Sequence, residues 1–245
     1  TEPVATEETD VTDTPPRLID LSMPIEEHWR FRPTFQPKYT PRPQFTFHTT
    51  QIGISSHGFS HVDAPLHNDP EGISVDEIEL EHFYGPASLV DVSDLGDNKP
   101  IGCEVLEPRS GHVRAGDILL IRSDQESRHP TTTKDYWTTS PWISLSGAQY
   151  LATLDLKAVA FDFPQDRSIR VEYDPDHVPA EDPDEDEACH VTLLPRGVLQ
   201  FEYLQNFSAI IQPRFLFMGF PLRLKGVDGS PVRAVALEGE GLDDC

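Results

Sequence analysis

Apolar residues in this chain fall into short runs separated by polar segments rich in Pro and Gly. Ala87–Val92 and Gly116–Ser123 read as buried strands; the Ile118–Ile121 centre of the second is apolar without alternation, the pattern of burial on both faces. Lys157–Phe161 is a third such run, and Ser146–Leu154 before it reads as a helix. Strand, helix and strand in succession predict an α/β fold. Arg17–Leu21 reads as the first strand. Val198–Phe201, Phe215–Leu222 and Val232–Leu237 read as closing strands, with Lys225–Pro231 as the turn between the last two. Gln44–Ile54 alternates Phe45, Phe47, Ile52 and Ile54 with polar residues, which predicts a strand with one wet face leading straight into His57. Gly72–Tyr84 reads as a short helix, with Ser74 and Glu77 as a capping box. The expected fold is therefore a single α/β domain over residues 17–238, with a mixed β-sheet and few helices.

Four segments stand outside that pattern. Residues 1–16 are acidic and rich in Thr and Pro, and are expected to form a disordered tail; 239–245 form a second, short tail. Ser22–Pro43 carries five prolines with Trp29, Phe31 and Phe35 among them. That is too broken for a helix, and it reads as a long ordered loop, either a flap over a ligand or a loop pinned by its aromatics. Residues 172–188 carry nine acidic side chains among seventeen and read as a solvated loop, with cation binding as the other reading.

Charge narrows the list of partners. Forty-two acidic against nineteen basic residues give a net charge of −23 in 245 residues. Such a surface repels a phosphate backbone and an anionic bilayer, so neither nucleic acid nor membrane is an expected partner. A solvated acidic surface and salt adaptation both fit that charge. The three cysteines are odd in number and without a CxxC pair, which argues against a disulfide framework. No run is long and apolar enough to span a bilayer, and no leader pattern opens the chain, so a cytoplasmic protein with a small-molecule substrate is expected. GxSxG, Walker, GxGxxG and HExxH patterns are all missing.

Candidate chemistry concentrates in residues 57–67, HGFSHVDAPLH, which hold three of the ten histidines together with Asp63. Imidazole with carboxylate suits Zn, Mn or Fe. Gly58 and Pro65 stand where turns would bring such ligands together, although three loop histidines would produce the same pattern.

His57, His61, Asp63, Pro65 and His67 match the HxGTHxDxPxH signature, and the stretch resembles that of the cyclase family of metal-dependent hydrolases, which includes bacterial kynurenine formamidases and isatin hydrolases. Phe59-Ser60 stands where the signature has Gly-Thr. A second block supports the likeness: His190 lies twelve residues before Glu202 in Glu202-Tyr203-Leu204-Gln205-Asn206. Pro221–Leu224 and Gly229–Ala234 are similar to the family's last two strands. The resemblance implies the family's swivelling β/β/α architecture and one or two ions of Zn or Mn. His57, His61 and Asp63 would hold the first, and Asp63 and Glu202 would bridge to a second bound by His190. It implies C–N hydrolysis of a small amide, aryl formamide or cyclic amide by metal-activated water, with His67 as general acid/base; a fourth ligand, or a partner of one, is the other reading of His67. A non-hydrolytic metal-dependent binding protein, or a lactone hydrolase or dehydratase, would use the same residues. The loop after Leu21-Ser22-Met23-Pro24 points to Trp29, Phe31 and Arg32 as substrate contacts, with Phe59 and Asp162 beside them. A homodimer or higher homo-oligomer is implied as well.

Overall fold

The computed structural model describes residues 15–239 and 241, so most of the two expected tails lies outside the described residues. In chain order the strands are β1 (Arg17–Asp20), β2 (Thr34–Pro41), β3 (Thr46–Gly53), β4 (His61–Asp63), β5 (Tyr84–Asp91), β6 (Pro100–Ile101), β7 (Ile118–Arg122), β8 (Trp142–Ile143), β9 (Ala158–Phe161), β10 (Leu199–Glu202), β11 (Arg214–Met218), β12 (Gly229–Pro231) and β13 (Val235–Glu238). Nine of them form one mixed sheet in the order β1-β13-β11-β5-β7-β9-β10-β4-β12. Its centre, β5 to β10, is parallel, and both flanks are antiparallel.

Alternation along the central strands splits the interior into two cores. Ile118, Leu120, Ala158, Ala160 and Phe201 face one side, and Leu119, Ile121, Val159 and Phe161 the other. The second side is roofed by the helices Cys103–Leu106, Leu145–Leu151 and Ala188–Thr192, through Leu106, Ala148, Leu151 and Cys189. The first side is closed by the sheet itself: Ile19 and Ala236 from one end share a core with Val62 near the other. Opposite ends can meet only if the sheet curls round that core. Each buried Ile, Leu or Phe contributes about 1.5–3 kcal/mol, which is why Ile118–Ile121 and Ala158–Phe161 carry no polar residue.

Five expectations need correction. The second half of Ser22–Pro43 is not a loop: β2 pairs with β3 along its whole length in a separate two-stranded ribbon. Pro37 and Pro41 are tolerated because the ribbon has only edges. Nor does β3 have one dry face. Phe35, Tyr39, Phe45, Phe47 and Ile52 are all exposed. Gly72–Tyr84 forms two short 3-10 turns, Val75–Glu77 and Leu80–His82, rather than a helix. The Ser74–Glu77 capping box is present, but Ile78 turns extended and stops propagation. The acidic segment is docked rather than simply solvated. It contains the helix Pro183–Asp186; Glu185 accepts from Leu145 N at 2.7 Å, and Asp186 accepts from Ala180 N and pairs with Arg167. Finally, Lys225–Pro231 is not only a turn, because β12 lies inside it and pairs with β4.

Candidate metal centre

The site grows out of the register of β4. Glu202 of β10 lies opposite His61, and Gln200 opposite Asp63. Val62 and Phe201 point into the curled core, so His61, Asp63, Gln200 and Glu202 share the other face. This is also the carboxyl end of the parallel strands β9 and β10, the usual place for ligands in such sheets. The helix Ala188–Thr192 packs on that face through Cys189 and brings His190 over the carboxylates. His57 arrives from the loop before β4. A Cβ on Gly229 would stand 2.7 Å from the His57 ring, so only glycine on β12 leaves the ring this place.

Three imidazoles converge here in the same way. His57 directs Nδ1 at Asp63 Oδ1 (2.7 Å), while its Nε2 meets Asp228 Oδ2 at 2.9 Å. His61 donates Nδ1–H to the Phe59 carbonyl (2.8 Å) and leaves Nε2 3.2 Å from Asp63 and 3.6 Å from Glu202. His190 is tied through Nδ1 to Asp166 at 2.6 Å, with Nε2 3.6 Å from Asp63 and 3.5 Å from Glu202. Each ring thus has one nitrogen anchored to an acceptor outside the cluster and the other aimed at Asp63, and those of His61 and His190 face Glu202 as well. Anchoring of this kind fixes the tautomer and orientation of metal-binding histidines.

Electrostatics shows what the cluster lacks. Burial pushes the Asp63 carboxyl up, but the surrounding His61, His190 and His57 rings outweigh it and hold the carboxyl well below its usual range. Burial pushes Glu202 up, and the charge of Asp63 adds to that. Burial lowers His57, yet its bonds to Asp63 and Asp228 raise it to about 9. His190 likewise is raised well above its ordinary value by Asp166 and Asp63 against the effect of burial. Protons on imidazole are what hold two buried carboxylates together here. His61 Nε2 and Asp63 Oδ2 are buried without a hydrogen-bond partner, and unpaired buried polar atoms are rare and costly. A divalent cation would satisfy both atoms and replace the protons. The donor set, imidazole with carboxylate and no sulfur, fits Zn or Mn.

His67 stands beside this cluster. Its ring stacks on His57 at 3.9 Å, and its Nδ1 lies 3.5 Å from Asp228 Oδ2. Burial lowers its pKa, and the neighbouring His57 and His190 add to that fall. It lines a cavity of about 500 Å³ with His57, His61, His190 and Glu202. The cavity's other walls come from Arg30, Tyr203, Ile169 and Gln165.

All five residues expected as ligands meet at this place, and His67 beside them. The expected substrate contacts are not there. Phe59 is 1% exposed and packs on Phe31 and His28 behind the site. Phe31 belongs to the same aromatic cluster, against Trp137. Trp29 and Arg32 line a separate open cleft with Glu27 and Phe35. Asp162 is fully buried, accepting from Ser123 N and Asp124 N, and ties the end of β9 to the end of β7. The cation at the cavity is Arg30, two residues before the expected one.

Asp228, Asp166, Gln165 and Tyr203 are further site residues. Gln165 donates to Glu202. Asp166 follows a strand end, as pocket residues often do; Asp228 gave no signal beyond lying in a Gly-flanked turn. Phe59 also explains the departure from the signature. Its φ is +60°, a left-handed conformation that glycine adopts freely and a bulky residue rarely does. Its carbonyl orients His61, so the backbone path matters more than the side chain. Ser60 Oγ accepts from Met23 N and donates to Tyr203 O, joining the first loop to β10.

The Cyclase family model ("Putative cyclase") matches residues 19–165. The chain is 25% identical over 226 residues to a kynurenine formamidase of Bacillus cereus, spanning 89% of this chain and 95% of that one. The kynurenine formamidase of Bacillus anthracis is 24% identical over 228 residues, spanning 89% and 96%. Among solved structures, isatin hydrolase A of Labrenzia aggregata superposes with a TM-score of 0.75 at 21% identity, over 92% of this chain and 94% of that one. Isatin hydrolase A of Ralstonia solanacearum gives 0.69 at 19%, over 91% and 92%. These two likenesses bear on the fold.

Proposed function

The chain belongs to the cyclase family, and from that premise we propose that it is a metal-dependent hydrolase that cleaves the C–N bond of a small amide, aryl formamide or cyclic amide. The observation that carries this reading is the convergence of His57, His61 and His190 on Asp63 and Glu202, each ring anchored at its far nitrogen. The names of its formamidase and isatin hydrolase relatives support the same class. His57 Nδ1, His61 Nε2, His190 Nε2 and the two carboxylates would hold one or two ions of Zn or Mn. Such an ion supplies Lewis acidity at the carbonyl and acidifies a water to near neutral pKa.

The remaining work falls to the chain. His67 faces the cavity beside the ligands and carries the proton to the leaving nitrogen. Asp228, reached by both His57 and His67, sets the orientation of the two stacked rings. Gln165 fixes the Glu202 carboxylate, and Tyr203 and Ile169 keep the cavity wall apolar. Hydrolysis of formanilide tests the reading: activity is expected to vanish in chelator and return with Zn or Mn. His67→Ala is expected to keep the metal and lose about 10²–10⁴-fold in kcat. Turnover undisturbed by chelator would refute the metal role; loss of metal from His67→Ala would make His67 a ligand.

We propose in addition that the protein works as a homo-oligomer. The β2–β3 ribbon is exposed on both faces, and a lone hairpin is marginal in water. Residues 28–56 hold Arg30, Arg32, Lys38 and Arg42 but no Asp or Glu, in a chain of net charge −23. An apolar groove of about 1050 Å³ beside the ribbon, walled by Ile25, Ile52, Phe220 and Leu222, offers a second copy something to cover.

A further inference from the structure

Arg30 is the one guanidinium on the catalytic cavity, and its surroundings are unusual for this chain. Its Cζ lies 4.4 Å from the Trp137 ring, 4.9 Å from Phe31 and 5.5 Å from Tyr203. Nε donates to the Tyr173 hydroxyl at 3.1 Å. Nη1 is buried and has no acceptor. Among the described residues no carboxylate pairs with Arg30, although the chain has 42 acidic side chains to offer. Other arginines find one: Arg122 has Asp91 and Asp124, Arg128 has Asp97, and Arg214 has Asp117. A guanidinium cannot shed its proton to escape burial. Here the rings supply cation–π contact, and the side chain lines the cavity with no counter-charge among the described residues.

The position of Arg30 relative to the metal centre is also defined. Tyr203 touches both, its ring 5.5 Å from the guanidinium and 5.3 Å, ring to ring, from His61. The cation therefore lies within about 11 Å of the His61 ring, on the same cavity. With a net charge of −23, the long-range field of the protein repels anions, so an anionic substrate needs a local cation at its destination.

Resting on the hydrolase reading above, we propose that Arg30 is the specificity residue of this site. It binds a carboxylate that the substrate carries across a ring from its scissile amide, through its guanidinium and with the substrate ring against Tyr203. The preferred substrates are then anionic amides, and neutral amides of the same shape bind without this anchor.

The test uses metal-loaded protein and the matched pair 4-formamidobenzoate and formanilide. Wild type is expected to favour the carboxylate, and in Arg30→Met the ratio of the two kcat/KM values is expected to fall roughly 30-fold, the scale of one charge-assisted bond. Arg30→Lys, which keeps charge without the fork, is expected to retain part of the preference. An unchanged ratio in Arg30→Met, or no preference in wild type, overturns the proposal. Calorimetric binding of 4-aminobenzoate against 4-aminobenzamide separates this from failure of the hydrolase reading. If neither formamide is hydrolysed, the hydrolase reading fails, while a carboxylate preference that is lost in Arg30→Met still upholds the anchor. Should Arg30→Met not fold, the same binding comparison with Arg30→Lys decides, and equal affinity of wild type for both ligands refutes the proposal.

Discussion

On one side of the cavity His57, His61, Asp63, His190 and Glu202 sit on strands, on a helix docked to them or on the loop just before β4, and hydrogen bonds to Asp228, the Phe59 carbonyl, Asp166 and Gln165 hold four of them from behind. On the other side Arg30 and Tyr203 are held mainly by ring contacts, with Phe31 and Phe59 behind them in the aromatic cluster around Trp137. Directional bonds place the atoms of the first wall one by one. Ring packing places the second wall by shape, and tolerates strain to do so: Phe59 and Tyr203 both have positive φ, at +60° and +53°. The polar wall suits chemistry, where a nitrogen must point in one direction. The aromatic wall suits recognition, where a surface must match a ring and a charge.

Removing ligands from the polar wall is expected to have the largest effect. In His57→Ala with Asp63→Ala, two of the five donors go, and metal content measured by elemental analysis should fall to background together with activity. Metal retained at full stoichiometry would show that the first wall is not organised as described. The aromatic wall is expected to answer through stability instead. Phe59→Ala creates a cavity and keeps a side chain in a left-handed turn, costing about 3–5 kcal/mol in denaturant unfolding. Phe59→Gly loses the same ring but relieves the turn, and should be more stable than Phe59→Ala by about 1 kcal/mol. The reverse order would mean that the turn carries no strain. The smallest effect concerns protons in the polar wall. His57 is raised from 6.5 to about 9 in the folded protein, so its contribution is fully present below pH 6.5 and is lost as pH rises through about 9. Metal-stripped protein should therefore lose about 1–2 kcal/mol between those values, allowing for solvent at the half-exposed Asp228. Metal-loaded protein should lack that slope, because the ion has replaced the proton. A calorimetric melting series at several pH values compares the two forms directly.

The two walls were also unequally legible in the sequence. His57, His61, Asp63 and His67 lie within eleven residues, and β4 needs only alternation to put two of them on one face. His190 and Glu202 were reached through their spacing. Asp228 was not, because its role depends on Gly229–Pro231 pairing with β4, a contact between segments far apart in sequence. The aromatic wall is built from Arg30, Phe59, Trp137 and Tyr203, four distant segments with no periodicity in common. In the Pro-rich first loop a shift of two residues passes unnoticed, and so Arg32 stood in for Arg30. Ile118–Ile121 of β7 and the whole of β9 were legible because burial on both faces leaves them without a polar residue; the exposed ribbon was not, because no core disciplines its pattern.

The left-handed turn at Phe59 has a consequence for how such a protein can change over generations. A glycine there is self-sufficient, and the first loop is then free to diverge. A phenylalanine there depends on Phe31 and His28 packed against it, so their replacement costs stability for as long as the ring remains. Mutational paths that remodel the loop must first pass through glycine at position 59. The order of substitutions, more than their number, is what this feature constrains.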